Sequence, residues 1–101
     1  MPHFKVILSG SGIEYPFEDA VVIGFFTTRV VKARDLSQAR DFAKELVLSE
    51  WRSGGTYATD NRGACPRLVV EESFPVGVFA GIFGRKPVGY SFYQREDEAA
   101  A

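Results

Sequence analysis

The sequence predicts an α+β fold in which an antiparallel sheet of about four strands carries one amphipathic helix on one face, in the order β-β-α-β-β. Segments rich in β-branched and aromatic residues flank the middle of the chain, and a single segment between them has helical periodicity. A chain of 101 residues has room for one hydrophobic core. We therefore expect one domain over residues 1–95, followed by a disordered acidic and alanine-rich tail, residues 96–101.

Two strands are predicted in the first third of the chain. Residues 4–9 place most of their apolar side chains on one face, which is typical of a half-buried strand. Residues 21–33 are β-branched or aromatic nearly throughout and apolar on both faces, so we expect a central strand. Which of its faces meets the helix is left open. The intervening residues 10–19 are turn-like, and Pro16 disfavours a central strand there.

The helix is predicted to begin after Asp35 and to end at about Trp51. Asp35 is a favourable N-cap, and Gln38 three residues later completes a capping box. At about 100° per residue, one connected apolar arc forms on this helix and is expected to face the sheet. The residues of that arc are Leu36, Ala39, Phe42, Ala43, Leu46 and Val47.

The second half of the chain is predicted to hold a long loop and two more strands. Residues 53–66 lack periodicity, and a loop of this length in a compact domain is usually functional or mobile. Residues 67–74 return to strand character until Pro75, which is expected to end the strand. Residues 89–95 read as the last strand.

Charge and cysteine content narrow the class of protein. Twelve basic and 13 acidic residues give a net charge of −1, which argues against a dedicated nucleic-acid binder. Cys65 is the only cysteine, so no intramolecular disulfide can form, which suits a reducing compartment. No secretory signal or apolar run long enough to span a bilayer is present. We therefore expect a cytoplasmic protein.

Residue types that carry catalysis or bind metals are scarce. The only histidine, His3, is expected to be a surface residue at a strand end, far in sequence from Cys65. One cysteine and one histidine cannot build a zinc site, and no aspartate-rich calcium loop occurs. We accordingly predict no catalytic residue, no metal site and no cofactor, and lean against an enzyme.

A loop site is nevertheless conceivable at the end of the helix. Glu50 falls inside the apolar arc, where a carboxylate held against apolar surface would have a raised pKa. The favoured interpretation is that the last turn overhangs the sheet and leaves Glu50 in water. The alternative is a ligand-binding or enzymatic site formed by the 53–66 loop, with Glu50, Tyr57 and Cys65 as its residues.

Residues 76–84 combine many large apolar residues with several glycines, directly before a pair of basic residues. Three interpretations stay open: the segment covers the bare sheet face, contacts a partner chain, or touches a membrane surface. Leu48 and Trp51 could extend a contact patch. The predicted protein-contact residues are Phe79, Ile82, Phe83, Arg85, Lys86, Leu48 and Trp51.

The leading hypothesis for function is a non-enzymatic protein-interaction module that associates with itself or with another protein. The first alternative is a nucleic-acid-binding regulatory domain, because sheets can present aromatic side chains to bases. Its candidate stacking residues are Phe25, Phe26, Tyr90 and Phe92. Its basic residues are Arg29, Lys32, Arg34, Arg40, Lys44, Arg52, Arg62 and Arg67.

Overall fold

The computed structural model of the chain describes residues 2–77 and 89–94. Its elements, in chain order, are β1 (His3–Phe17), β2 (Ala20–Lys32), α1 (Leu36–Trp51), β3 (Arg67–Val76) and β4 (Tyr90–Tyr93). The strands form one antiparallel sheet that packs against the helix, which confirms the predicted α+β fold and its β-β-α-β-β order. The predicted tail, residues 96–101, lies outside the described residues.

The strand order in the sheet is β3-β1-β2-β4, so β2 is a central strand, as predicted. β1 is much longer than predicted, and the turn expected over residues 10–19 is wrong except at its end. Beyond Ser11, β1 pairs with β2 but not with β3. Pro16 therefore lies where none of the described strands pairs with one side of β1, and its missing N–H can be tolerated there. The chain then reverses next to Glu18, which has a φ of 57°.

β3 also runs further than the sequence indicates, because it continues through Pro75 to Val76. Within the described residues β3 pairs only with β1, with Pro75 opposite Phe4. A proline that would interrupt a central strand is acceptable on an edge strand, since only one side of the strand must donate hydrogen bonds to a neighbour. The expectation that Pro75 ends the strand is therefore corrected.

The beginning of α1 closely follows the predicted capping box. The Asp35 carboxylate accepts a hydrogen bond from the Gln38 backbone N–H at 2.8 Å. The Gln38 side-chain oxygen reaches back and accepts from the Arg34 N–H at 2.7 Å, one residue before the expected partner. Both bonds satisfy backbone donors that a helix start leaves unpaired. At the other end, the Arg52 N–H donates to the Leu48 carbonyl at 2.9 Å.

The helix meets the sheet along a narrower stripe than the sequence suggests. Ala39, Ala43 and Val47 are fully buried, and their small side chains let the helix backbone approach the strands closely. Phe42 and Leu46, predicted to face the sheet, are instead 42% and 47% exposed on the flank of the helix. The helical period brings them near the apolar arc, but the contact is centred on the small residues, so the larger ones are displaced from it.

The helix-covered face of β2 is the one with Phe25, Thr27, Arg29 and Val31, a choice that the sequence leaves open. Val31, Arg29 and Thr27 lie opposite Phe4, Val6 and Leu8 of β1, and all six are buried. The opposite side of the sheet is called the outer face below.

Two glycines in the sheet make room for aromatic rings. Gly10 lies opposite Phe25, and a Cβ at Gly10 would come within 2.3 Å of the Phe25 ring. Gly24 lies opposite Tyr93, and a Cβ there would come within 2.2 Å of that ring. Phe25 is fully buried, so the absence of a side chain at Gly10 positions a principal core residue.

Candidate functional site

The most unusual feature of the interior is a buried arginine. Arg29 lies on the helix-covered face of β2 and is 5% exposed, whereas its partner Glu50, from the last turn of α1, is 29% exposed. Arg29 Nη2 donates to Glu50 Oε1 at 3.0 Å, and Arg29 Nε donates to Thr27 Oγ1 at 3.3 Å. The favoured expectation that Glu50 overhangs the sheet is therefore wrong, because β2 continues beneath it and supplies a charge partner.

Tyr90 of β4 joins the same network. Its hydroxyl donates to the Glu50 carboxylate and accepts from Trp51 Nε1 at 3.2 Å. The Arg29 guanidinium lies over the Tyr90 ring, 5.3 Å from its centroid. Burial first, and then the hydrogen bond to Glu50, raise the pKa of Tyr90 well above its ordinary value, so the phenol stays neutral.

Aromatic rings enclose this polar network. Neighbouring centroids within the cluster lie 4.8 to 6.5 Å apart, in stacked and edge-to-face arrangements. The rings come from the helix end, three strands and the loop: Tyr15, Phe25, Trp51, Tyr57, Tyr90 and Phe92. Such close ring packing gives the network the surroundings of a structural core, and it anchors the C-terminal end of α1.

The 53–66 loop is held in place by β1 and the helix end. The Tyr57 N–H donates to the Glu50 carbonyl at 2.9 Å, and the Arg62 N–H donates to the Glu14 carbonyl at 2.8 Å. The Asn61 side chain accepts from the Glu14 N–H at 3.0 Å. The two bonds to Glu14 lie on the side of β1 where β3 no longer pairs beyond Ser11. The loop is therefore an ordered extension of the sheet edge.

The three predicted loop-site residues do not converge. Glu50 and Tyr57 share the aromatic cluster, and burial followed by the Glu50 charge raises the pKa of Tyr57. Cys65 is exposed and lines an open concavity of about 360 Å³ that also includes Trp51 and Asn61. The lining of that concavity includes neither Glu50 nor Tyr57. A thiol nucleophile beside a carboxylate base is therefore not formed by these residues.

Other predicted site residues have different outcomes. Phe79, Ile82, Phe83, Arg85 and Lys86 lie outside the described residues. Trp51 is 3% exposed in the aromatic cluster, so its indole does not contribute to a surface patch, and Leu48 is partly buried.

His3, expected at the surface, is 6% exposed. It begins β1 in the row between Lys32 of β2 and Val76 of β3, so paired strands flank it on both sides. Its Nδ1 atom is buried without a hydrogen-bond partner.

The outer face of the sheet carries exposed apolar side chains from three strands. Phe26, Val69 and Tyr93 are 49%, 51% and 38% exposed, respectively. The Phe26 and Tyr93 rings adjoin at a centroid distance of 5.8 Å. The strand register places further apolar side chains on the same face: Ile7, Val30 and Phe74.

Sequence reasoning missed the ion-pair role of Arg29 and its link to Tyr90; both residues were named only as candidates of the nucleic-acid alternative, which was not favoured. A signal for Arg29 was available, since it shares a strand face with Phe25 and Val31. A lone charge in an apolar row predicts a buried partner once that row is known to face the core. The partner, Glu50, was already singled out on the helix, but nothing in the sequence joined the two residues.

The comparisons with known proteins add no assignment. No family model matches the chain, and no similar curated protein or solved structure is found. Within residues 2–77 and 89–94, no helix has the length and apolar character needed to cross a membrane. The same residues contain no group of three or more histidine, cysteine, aspartate or glutamate side chains arranged to hold a metal ion.

Proposed function

We propose that this chain is a non-enzymatic protein-interaction module that self-associates through its sheet. The observation that carries the proposal is the exposure of Phe26, Val69 and Tyr93 on the outer face. Apolar surface that remains in water favours association, because burying it releases the water that covers it. The single described helix covers the other face of the sheet.

The nucleic-acid alternative receives less support from the side chains that it requires. Of its four candidate aromatic residues, Phe25, Tyr90 and Phe92 belong to the cluster under the helix, which leaves Phe26 exposed. Of its basic residues, Arg29 is buried in an ion pair. Arg34 and Arg52 pair with neighbouring carboxylates, and Arg40 donates to a serine hydroxyl. A nucleic-acid-binding domain needs exposed aromatic rings on which bases stack, next to basic side chains that are free to contact phosphates.

The enzymatic alternative has the same difficulty. Its carboxylate already accepts hydrogen bonds from an arginine and a tyrosine, and its thiol lines a separate concavity. A cytoplasmic location stays a prediction from the sequence.

The test is the solution mass of the full chain, measured by light scattering behind a sizing column across a wide range of loading concentrations. We expect a mass that rises from monomer to dimer with concentration. Phe26→Asp and Val69→Asp place charge on the outer face, and at least one of them should return the protein to monomer. Phe42→Asp is the matched control, because Phe42 is similarly exposed but lies on the helix flank. A wild-type monomer at every concentration would overturn the proposal.

A further inference from the structure

The outer edge of β3 offers backbone hydrogen-bonding groups as well as side chains. β3 spans ten residues, and among the described strands it pairs only on the side of β1. Val69, in the first half of β3, is the most exposed of the large apolar residues that the structure describes. Arg67 and Glu71 flank it at a spacing of two residues, and the Ser9 hydroxyl donates to Glu71 at 2.6 Å. Ser9 lies opposite Val69, so Glu71 reaches along the outer face.

Symmetry limits how two copies of this edge can pair. A two-fold axis that extends a sheet in antiparallel fashion runs perpendicular to the sheet, midway between the two edge strands. It passes between the two copies of one residue, and both copies keep the same faces aligned. An axis at Val69 sets Arg67 opposite Glu71 of the second copy, twice. It also sets Val69 opposite Val69, and Leu68 opposite Val70. Each charged side chain then faces one of opposite sign, and each apolar side chain faces an apolar one.

Neighbouring registers are poorer matches. An axis at Val70 sets Val69 opposite Glu71 and Leu68 opposite Glu72, so both of these apolar residues face a carboxylate. An axis at Glu71 sets two carboxylates directly opposite each other, and like charges in that position are destabilising. An axis at Leu68 brings no charged pair together. Among these registers, charge and apolarity are both matched only by the one centred on Val69.

We propose that self-association occurs by antiparallel pairing of β3 with β3 of a second copy, centred on Val69, which joins the four described strands of each copy into one sheet. This inference rests on the self-association in the proposed function and places the contact at the β3 edge, where Val69 lies; Phe26 and Tyr93, on β2 and β4, stay outside it. The register shift between Ile7 and Leu8 falls at Glu71, at the end of this stretch, and Pro75 follows. Both features disfavour strand addition beyond Glu71, so the pairing is confined to residues 67–71. A contact this short gives a weak dimer whose two ion pairs make it sensitive to salt.

The test is a charge exchange measured by light scattering and sedimentation on the full chain. Arg67→Glu sets glutamate opposite glutamate in both symmetric positions, and we expect the dissociation constant to rise by about tenfold or more. Glu71→Arg should weaken the dimer similarly. The double exchange, Arg67→Glu with Glu71→Arg, restores both pairs with reversed polarity and should recover most of the affinity. Ser9→Ala removes the hydrogen bond to Glu71 and is the matched control, with little change expected.

Hydrogen exchange supplies a second measurement that does not depend on a variant. Amides in residues 67–71 should become more protected as protein concentration rises through the dimerisation range, while those of the α1 helix should not change. A wild-type chain that never dimerises would refute both the proposed function and this inference. A dimer that the charge exchange leaves intact but Phe26→Asp dissociates would preserve the function and refute the edge pairing.

Discussion

Removing the Glu50 carboxylate is expected to destabilise this fold more than removing any exposed ion pair. Arg29 is 5% exposed in the folded chain; Glu50→Ala leaves this buried guanidinium without its charge partner and removes the acceptor of the Tyr90 hydroxyl. Breaking a buried ion pair costs about 3–5 kcal/mol. Because Glu50 itself is 29% exposed, water partly screens the pair, and we expect the lower end of that range, about 3 kcal/mol.

The assay is thermal and urea unfolding at neutral pH. A loss of about 3 kcal/mol in a domain of this size lowers Tm by on the order of 15 °C. Glu45→Ala is the matched control, since Glu45 lies on the same helix and pairs with Arg52, with side chains 64% and 53% exposed. An exposed pair of this kind contributes about 0–1 kcal/mol, so the Tm of the control should fall only slightly.

A double variant separates the buried charge from the lost contact. Arg29→Met combined with Glu50→Ala leaves no uncompensated charge under the helix, so the pair of changes should be less destabilising than Glu50→Ala alone. If Glu50→Ala cost no more than Glu45→Ala, the interpretation of Arg29 as a desolvated cation that depends on Glu50 would be refuted.

Three further outcomes are expected. Gly10→Ala should strongly lower Tm by displacing the Phe25 ring, whereas Gly77→Ala should not, because its Cβ would have no neighbour within 4 Å among the described residues. Equal effects on Tm would contradict the close packing at Gly10. Burial and a hydrogen bond raise the pKa of Tyr90 in the folded state, so its contribution to stability is present below the unfolded value of about 10 and is lost as pH rises above it. Tyr90→Phe should therefore lose less stability than wild type between about pH 8 and pH 11, as measured by urea unfolding. The N-cap hydrogen bond lowers the pKa of Asp35 in the folded state. The stability that the ionised carboxylate contributes is therefore present above about pH 4 and is lost as pH falls further. Asp35→Ala should reduce the drop in Tm on acidification, and an unchanged drop would exclude that contribution.

Strand limits were harder to predict than strand identity, for a reason that Pro16 and Pro75 share. Each proline is incompatible with a central strand position, and the sequence was interpreted on that basis. Each lies instead where its strand has a neighbour on one side and none of the described strands on the other. Whether a residue lies at an edge depends on strand order, which is a property of the whole sheet.

The candidate site was predictable only in fragments. Glu50 stood out because a carboxylate fell inside an apolar arc, and Tyr57 was included because it follows the helix in the loop. Arg29 and Tyr90 come from strands on either side of these residues in the sequence. The strand register and the position of the helix over β2 bring the four side chains together. Residues that are distant in sequence cannot be paired by local periodicity.

The sequence by itself determined the element order, the capped helix and the existence of one central strand, because these follow from local period, capping chemistry and β-branched composition. Tertiary structure decided which face of β2 the helix covers and where the exposed apolar surface lies. Small residues at Ala39 and Ala43 permitted the closest approach of the helix, so Phe42 and Leu46 were left at its flank. That choice depends on the fit between two surfaces, and a single segment of sequence does not contain it.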